Sequence, residues 1–181
     1  MAVNSDRSIR NIALTGFMGV GKSSVGRALA EQLHFEFLDT DEVIETNAGK
    51  SISRIFSEEG EPTFRALECQ LVQQLAGRDR LVISTGGGLA VNADNLASLK
   101  AHALVVCLWA SPEAIWERVR HQSHRPILQT VDPPARIREL LAQREPFYKQ
   151  ADVLVNTELR SLREVVQQVL FQFQLARQPG R

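Results

Sequence analysis

The chain has 181 residues, 44% of them apolar and 23% charged, with 21 basic residues against 21 acidic ones. That length suits one well-buried domain rather than two ordinary ones, and the composition excludes disordered and collagen-like classes. The charge balance leaves no net field to draw the chain onto nucleic acid or an anionic membrane, so any anion site has to be a local cluster.

The two cysteines, Cys69 and Cys107, are too few for a disulfide framework or a zinc site and suit a reducing compartment. The start, MAVNSDRSIR, is polar and has no apolar h-region. The longest apolar stretch, Ala103 to Ala110, falls far short of the roughly 18 residues of a membrane span. The expectation is a soluble, cytoplasmic protein without nucleic-acid or membrane partners.

In chain order, the first apolar run, Ile12 to Leu14, leads into GFMGVGKS at Gly16 to Ser23. This matches G-x-x-x-x-G-K-[ST], and a helical pattern follows, with Val25, Leu29 and Leu33 on one face. Glycines in such a loop let backbone N–H groups converge on phosphate oxygens, and the helix adds the positive end of its dipole. Gly19, Val20, Gly21, Lys22, Ser23 and Ser24 form the candidate cradle. Lys22 would neutralise the terminal phosphates of ATP, and the Ser23 hydroxyl would reach Mg2+.

The second run, Phe35 to Leu38, ends in Asp39-Thr40-Asp41. In extended backbone alternate residues share a face, so both carboxylates can point at the loop. One could hold the metal through its water shell while the other accepts a proton from a phosphoryl acceptor. A plainer reading has Asp41 capping a helix that begins near Glu42.

Gly60, Glu61 and Pro62 separate two helical stretches, and Arg65 opens the second. A third run, Leu81 to Ile83, feeds the triple glycine Gly86, Gly87 and Gly88, which suits close approach of backbone to a ligand or else a flexible connector. The fourth run, Leu104 to Trp109, is followed by Ser111-Pro112, an N-cap with proline at the first helical position.

Residues 121–134 have the composition of a loop, bracketed by Arg118 and Arg125, which could swing over a nucleotide or simply solvate the loop. Arg144 lies late in the next helix, and like Arg65 it offers a planar fork for carboxylate, although a lone arginine is often only a surface charge. After a fifth run, Val153 to Val155, Ser161 and Glu164 form a capping box that opens the last helix. Strand-length runs alternating with helices predict an α/β fold with a parallel sheet.

Taken together, GFMGVGKSSVG, FLDTD, SISRIFSEEGEPTFRALE, STGGG, HRPIL and QREPFY resemble the signatures of shikimate kinases, in that family's order, from about Asn11 to Asn156. The resemblance implies a three-layer α/β/α sandwich of the P-loop kinase type, with a five-stranded parallel sheet, a substrate-binding helical region at about 41–70 and a lid at about 121–134. One domain would fill 1–181, with a frayed tail at about 176–181.

By the same resemblance, Lys22, Asp41 and Arg125 are catalytic, with Asp41 as the base. Ser23 and Asp39 serve Mg2+, while Arg118, Arg125 and Arg160 lie on the nucleotide. Asp41, Arg65, Gly86, Gly87, Gly88 and Arg144 take shikimate, the two arginines gripping its carboxylate. The implied enzyme is a monomer that phosphorylates the shikimate 3-hydroxyl. A kinase for gluconate or a cyclitol, or a silent nucleotide-binding module, are the rival readings, since fold alone does not fix function.

Overall fold

A computed structural model describes residues 7–121 and 130–178. Five strands, β1 (Asn11–Thr15), β2 (Glu36–Asp39), β3 (Leu81–Ser84), β4 (Ala103–Trp109) and β5 (Val153–Asn156), alternate with helices α1 (Lys22–Leu33), α2 (Thr40–Ala48), α3 (Ile52–Leu75), α4 (Ala93–His102), α5 (Pro112–Val119), α6 (Pro133–Tyr148) and α7 (Leu162–Arg177). All strand pairs are parallel, in the order β2-β3-β1-β4-β5. The five apolar runs read from the sequence are these five strands.

Parallel strands covered by helices on both faces become continuous apolar runs, and all five residues of β1 are buried. One core packs Ile12, Leu14, Leu104 and Val106 against Val25 and Leu29 of α1 and Val165, Val169 and Phe173 of α7. The other packs Ala13, Ile83 and Val105 against Leu71, Val72 and Leu75 of α3 and Leu96 and Leu99 of α4. This is a three-layer sandwich.

The predicted punctuation holds the helix ends. Ser111 and Ser161 cap α5 and α7, the latter with the reciprocal Glu164 bond, and Gly60 kinks α3 with φ 84° and ψ 167°. Two boundaries move. Pro133 opens α6, so the proline pair begins a helix rather than ending a loop. Ala176 and Arg177 still belong to α7, which shortens the expected tail. The rest of that tail, 179–181, and residues 122–129 of the stretch expected to form a lid lie outside the described residues.

Opposite the loop-bearing edge, Asn11 ties three segments together. Its amide donates to the Arg78 carbonyl at 2.7 Å, its oxygen accepts from Leu81 N–H at 2.8 Å, and its amide nitrogen sits 2.9 Å from His102 Nδ1. His102 is buried, and its Nε2 has no hydrogen-bond partner among the described residues. Burial first, then the nearby Arg10, lower its pKa.

The folded chain therefore keeps this ring neutral, while the unfolded chain takes up a proton below the ordinary value of about 6.5. Stability is full above that value and is lost as pH falls through the lower folded pKa. Urea unfolding followed from about pH 7.5 down to about pH 5.5 will show the decline. The slope will be shallower in His102→Gln, and an unchanged slope would assign the decline to other groups.

Candidate active site

Both glycine-rich segments leave the sheet at the same edge because β1 and β3 are parallel neighbours, with Leu14 paired to Ser84. The pairing continues one residue further, where Thr85 N–H and Oγ1 both donate to the Leu14 carbonyl, at 3.0 and 3.1 Å. The carboxyl ends of parallel strands are the usual ligand edge of such a sheet. A cavity of about 840 Å³ opens there, lined by residues of the phosphate loop, α2, α3, the triple glycine, Arg118 and Arg144.

In the loop after β1, Gly16, Gly19 and Gly21 take φ values of 127°, 75° and 95°, a region that side chains with a Cβ seldom adopt. Gly21 caps α1 without any side-chain hydrogen bond, leaving no side chain over the first N–H groups of that helix. Lys22 Nζ folds back to the Gly16 and Phe17 carbonyls, 2.9 Å each. Ser23 and Ser24 line the cavity. Val20 is buried in the core, which leaves its backbone as its only means of meeting a phosphate.

Ser23 Oγ donates to Asp39 Oδ2 at 3.2 Å. The other Asp39 oxygen accepts from Asp41 N–H at 3.1 Å and caps α2. The alternative reading of Asp41 as a helix cap is thereby corrected: α2 starts at Thr40, so the cap falls on Asp39. Asp41 enters the first turn, and its carboxylate faces the glycine run.

Each glycine of the triplet faces one charged side chain. A Cβ on Gly86 would strike the Asp41 carboxylate, one on Gly87 would lie 3.3 Å from Arg144 Nη1, and one on Gly88 would lie 2.7 Å from Arg65 Nη1. The triplet is thus a wall without side chains between one carboxylate and two guanidinium groups. Thr40 Oγ1 accepts from Gly86 N–H at 2.9 Å and fixes one end of it.

Arg65 is already engaged. Its Nη1 donates to Glu68 Oε2 at 2.7 Å, while Nε and Nη2 donate to Glu61 Oε1 at 3.1 and 2.7 Å. Burial lowers the guanidinium pKa, but the two carboxylates outweigh it and hold the pKa above the ordinary value. Glu68 is buried, and desolvation raises its carboxyl pKa against the pull of Arg65. Sequence reasoning did not single out Glu68; a carboxylate three residues after Arg65 on one helix face was the available signal.

Arg144 Nη1 donates to the Gly87 carbonyl at 3.2 Å, and its guanidinium lies 5.4 Å from the Phe17 ring centroid. Arg118 lines the cavity but is pinned: it donates to Gly19 O at 3.3 Å, to Thr157 Oγ1 at 3.0 Å and to Thr157 O at 2.7 Å. Those three acceptors hold Arg118 against the base of the phosphate loop. Arg160 donates to the Asn156 carbonyl at 3.1 Å and is not among the residues lining the cavity. Arg125 lies outside the described residues.

The family model described as "Shikimate kinase" matches residues 18–174. The chain is 42% identical to the shikimate kinase of Thermodesulfovibrio yellowstonii, over 92% of this chain and 96% of that one. It is 46% identical to a shikimate kinase of Thermus thermophilus, over 88% of this chain and 87% of that one. Among solved structures, the shikimate kinase of Acinetobacter baumannii in complex with shikimate superposes with a TM-score of 0.86 at 38% identity, covering 94% of this chain and 97% of that one.

The fit of Gly86 to Asp41 is testable. Asp41 is short, so a methyl group in its path displaces the carboxylate itself, whereas the far end of Arg65 can bend away from Gly88. Gly86→Ala will lower kcat by at least about tenfold, the loss expected where the displaced carboxylate serves the reaction. Gly88→Ala will act mainly on the acceptor KM, and steady-state kinetics with each substrate varied will separate the two.

Proposed function

The chain belongs to the shikimate kinase family, and from that premise we propose how its residues divide the work. The chain is an enzyme, and its reaction is the ATP-dependent phosphorylation of shikimate. In the proposed reading the acceptor is the shikimate 3-hydroxyl. The observation that carries the reading is the glycine triplet, which sets Asp41, Arg65 and Arg144 around one small space beside the phosphate loop.

The cradle after β1 binds the ATP phosphates through backbone N–H groups, and Lys22 lies within the same loop to balance their charge. Ser23 Oγ and Asp39 Oδ2, 3.2 Å apart, are hard oxygen donors at the mouth of that cradle and fit Mg2+. No group of three or more His, Cys, Asp or Glu able to hold a metal occurs among the described residues. That agrees with an ion sharing its coordination with phosphate oxygens and water. When bound, Mg2+ supplies charge neutralisation at the transferring phosphoryl group.

Asp41 takes the proton of the 3-hydroxyl as that oxygen attacks the γ-phosphorus, the bond from phosphorus to the ADP oxygen breaks, and ADP leaves. Arg65 and Arg144 hold the shikimate carboxylate and fix which hydroxyl meets Asp41. For Arg65, the partner to be displaced is Glu61, whose side chain is 60% exposed. Exposed ion pairs are worth only about 0–1 kcal/mol. Glu68, 1% exposed, stays and holds the guanidinium from beneath.

Arg118 braces the phosphate loop, and Arg125 is placed on the nucleotide by its position in HRPIL. Arg160 completes the nucleotide side of the reading, its guanidinium donating to the Asn156 carbonyl in this structure. The reading includes a monomer acting in the cytoplasm without nucleic-acid or membrane partners. The balanced charge supports the part of this that concerns nucleic acid and anionic membranes, and among the described residues no helix is long and apolar enough to cross a membrane.

Asp41→Asn keeps the shape of the side chain and removes the base. Its kcat will fall at least about tenfold, while ATP affinity measured by titration stays within about twofold. Near-normal turnover would overturn the role given to Asp41.

A further inference from the structure

The carbonyl of Gly87 accepts two hydrogen bonds, both from α6. Tyr148 Oη donates at 2.7 Å and Arg144 Nη1 at 3.2 Å. The donors are one helical turn apart and share a face. A carbonyl oxygen has two lone pairs, so this pair of donors saturates it. The shorter bond belongs to the neutral donor, and the charged one sits at the long end of the usual range.

Tyr148 is 7% exposed and does not line the acceptor cavity. It lies behind the glycine wall and lines a separate groove with Cys107, Trp109, Leu141 and Leu154. Burial pushes its phenol up to about 12, so the hydroxyl remains a donor across any assay pH. The hydroxyl therefore reaches the active site through the Gly87 carbonyl and through the Arg144 guanidinium, with which its oxygen also interacts.

We propose that Tyr148 is a positioning residue for the acceptor carboxylate: its hydroxyl takes the shorter bond to the Gly87 carbonyl, so that Arg144 commits only Nη1, at 3.2 Å, to that carbonyl and keeps its other donors for substrate. Without the hydroxyl, a part-buried carbonyl has Arg144 as its remaining side-chain donor. An unsatisfied acceptor is costly, and the guanidinium closes on it. Arg144 is then drawn toward the wall and away from the carboxylate. The proposal rests on the reading of Arg144 as a carboxylate ligand.

Tyr148→Phe deletes one oxygen and keeps the ring, and urea unfolding checks that the variant is folded at the assay temperature. Steady-state kinetics are compared for wild type, Tyr148→Phe, Arg144→Ala and the double variant. The expected result is a shikimate KM raised about threefold or more by Tyr148→Phe, an ATP KM within about twofold, and a loss of the Tyr148 effect in the Arg144→Ala background, as for coupled residues.

An unchanged shikimate KM in Tyr148→Phe, an equal rise on both backgrounds, or an equal rise in the ATP KM overturns the proposal. If Arg144→Ala itself leaves the shikimate KM unchanged, the reading of Arg144 fails and takes the proposal with it. A large Arg144 effect beside a silent Tyr148→Phe defeats the proposal alone.

Discussion

The site depends on the parallel pairing of β1 with β3. Because Leu14 pairs with Ser84 and Thr85 goes on to bond the Leu14 carbonyl, the phosphate loop and the glycine triplet leave the sheet side by side. Phosphoryl transfer asks little covalent chemistry of the protein and much positioning, with aligned reactants worth roughly 7–11 kcal/mol of barrier. A rigid, buried central pair of strands is the physical means of holding donor and acceptor cradles at a constant separation.

Around that frame the charges are arranged so that most are held by a second group. Asp39 divides its two oxygens between Ser23 and the start of α2. Arg65 stands between a buried and an exposed carboxylate, and Arg118 is fixed by Thr157. Asp39 and Arg118, held in this way, need little reorganisation when substrate arrives, which is the advantage of a preorganised polar site over water, and Arg65 would exchange only its exposed partner Glu61. The triple glycine serves the same end, since it lets three charged side chains approach one stretch of backbone.

Much of this was legible in the sequence alone. The central strands β1, β3 and β4 read as apolar runs because both faces of the sheet are covered there, while the edge strand β2 shows the same signal interrupted by exposed Glu36. The phosphate loop, the Gly60 kink and the Ser161 capping box are local devices whose signals lie within a few residues. What escaped depended on distant partners or on a boundary. Arg118 is braced by Gly19, 99 residues away, and Tyr148 by Gly87, 61 residues away. Spacing along the chain carries no mark of such contacts. The cap of α2 fell on Asp39 rather than Asp41 because the helix begins two residues earlier than its charge pattern suggested.

In the proposed function, a pocket that reads a carboxylate is what makes a phosphate cradle a shikimate kinase. The most direct measurement is ADP release at saturating ATP with shikimate compared with its carboxamide, which keeps the ring and its hydroxyls and removes only the charge. Hydrogen bonds to a charged partner contribute about 1.5–3 kcal/mol, so kcat/KM will be at least about tenfold lower for the carboxamide. Equal kcat/KM for the two would contradict it.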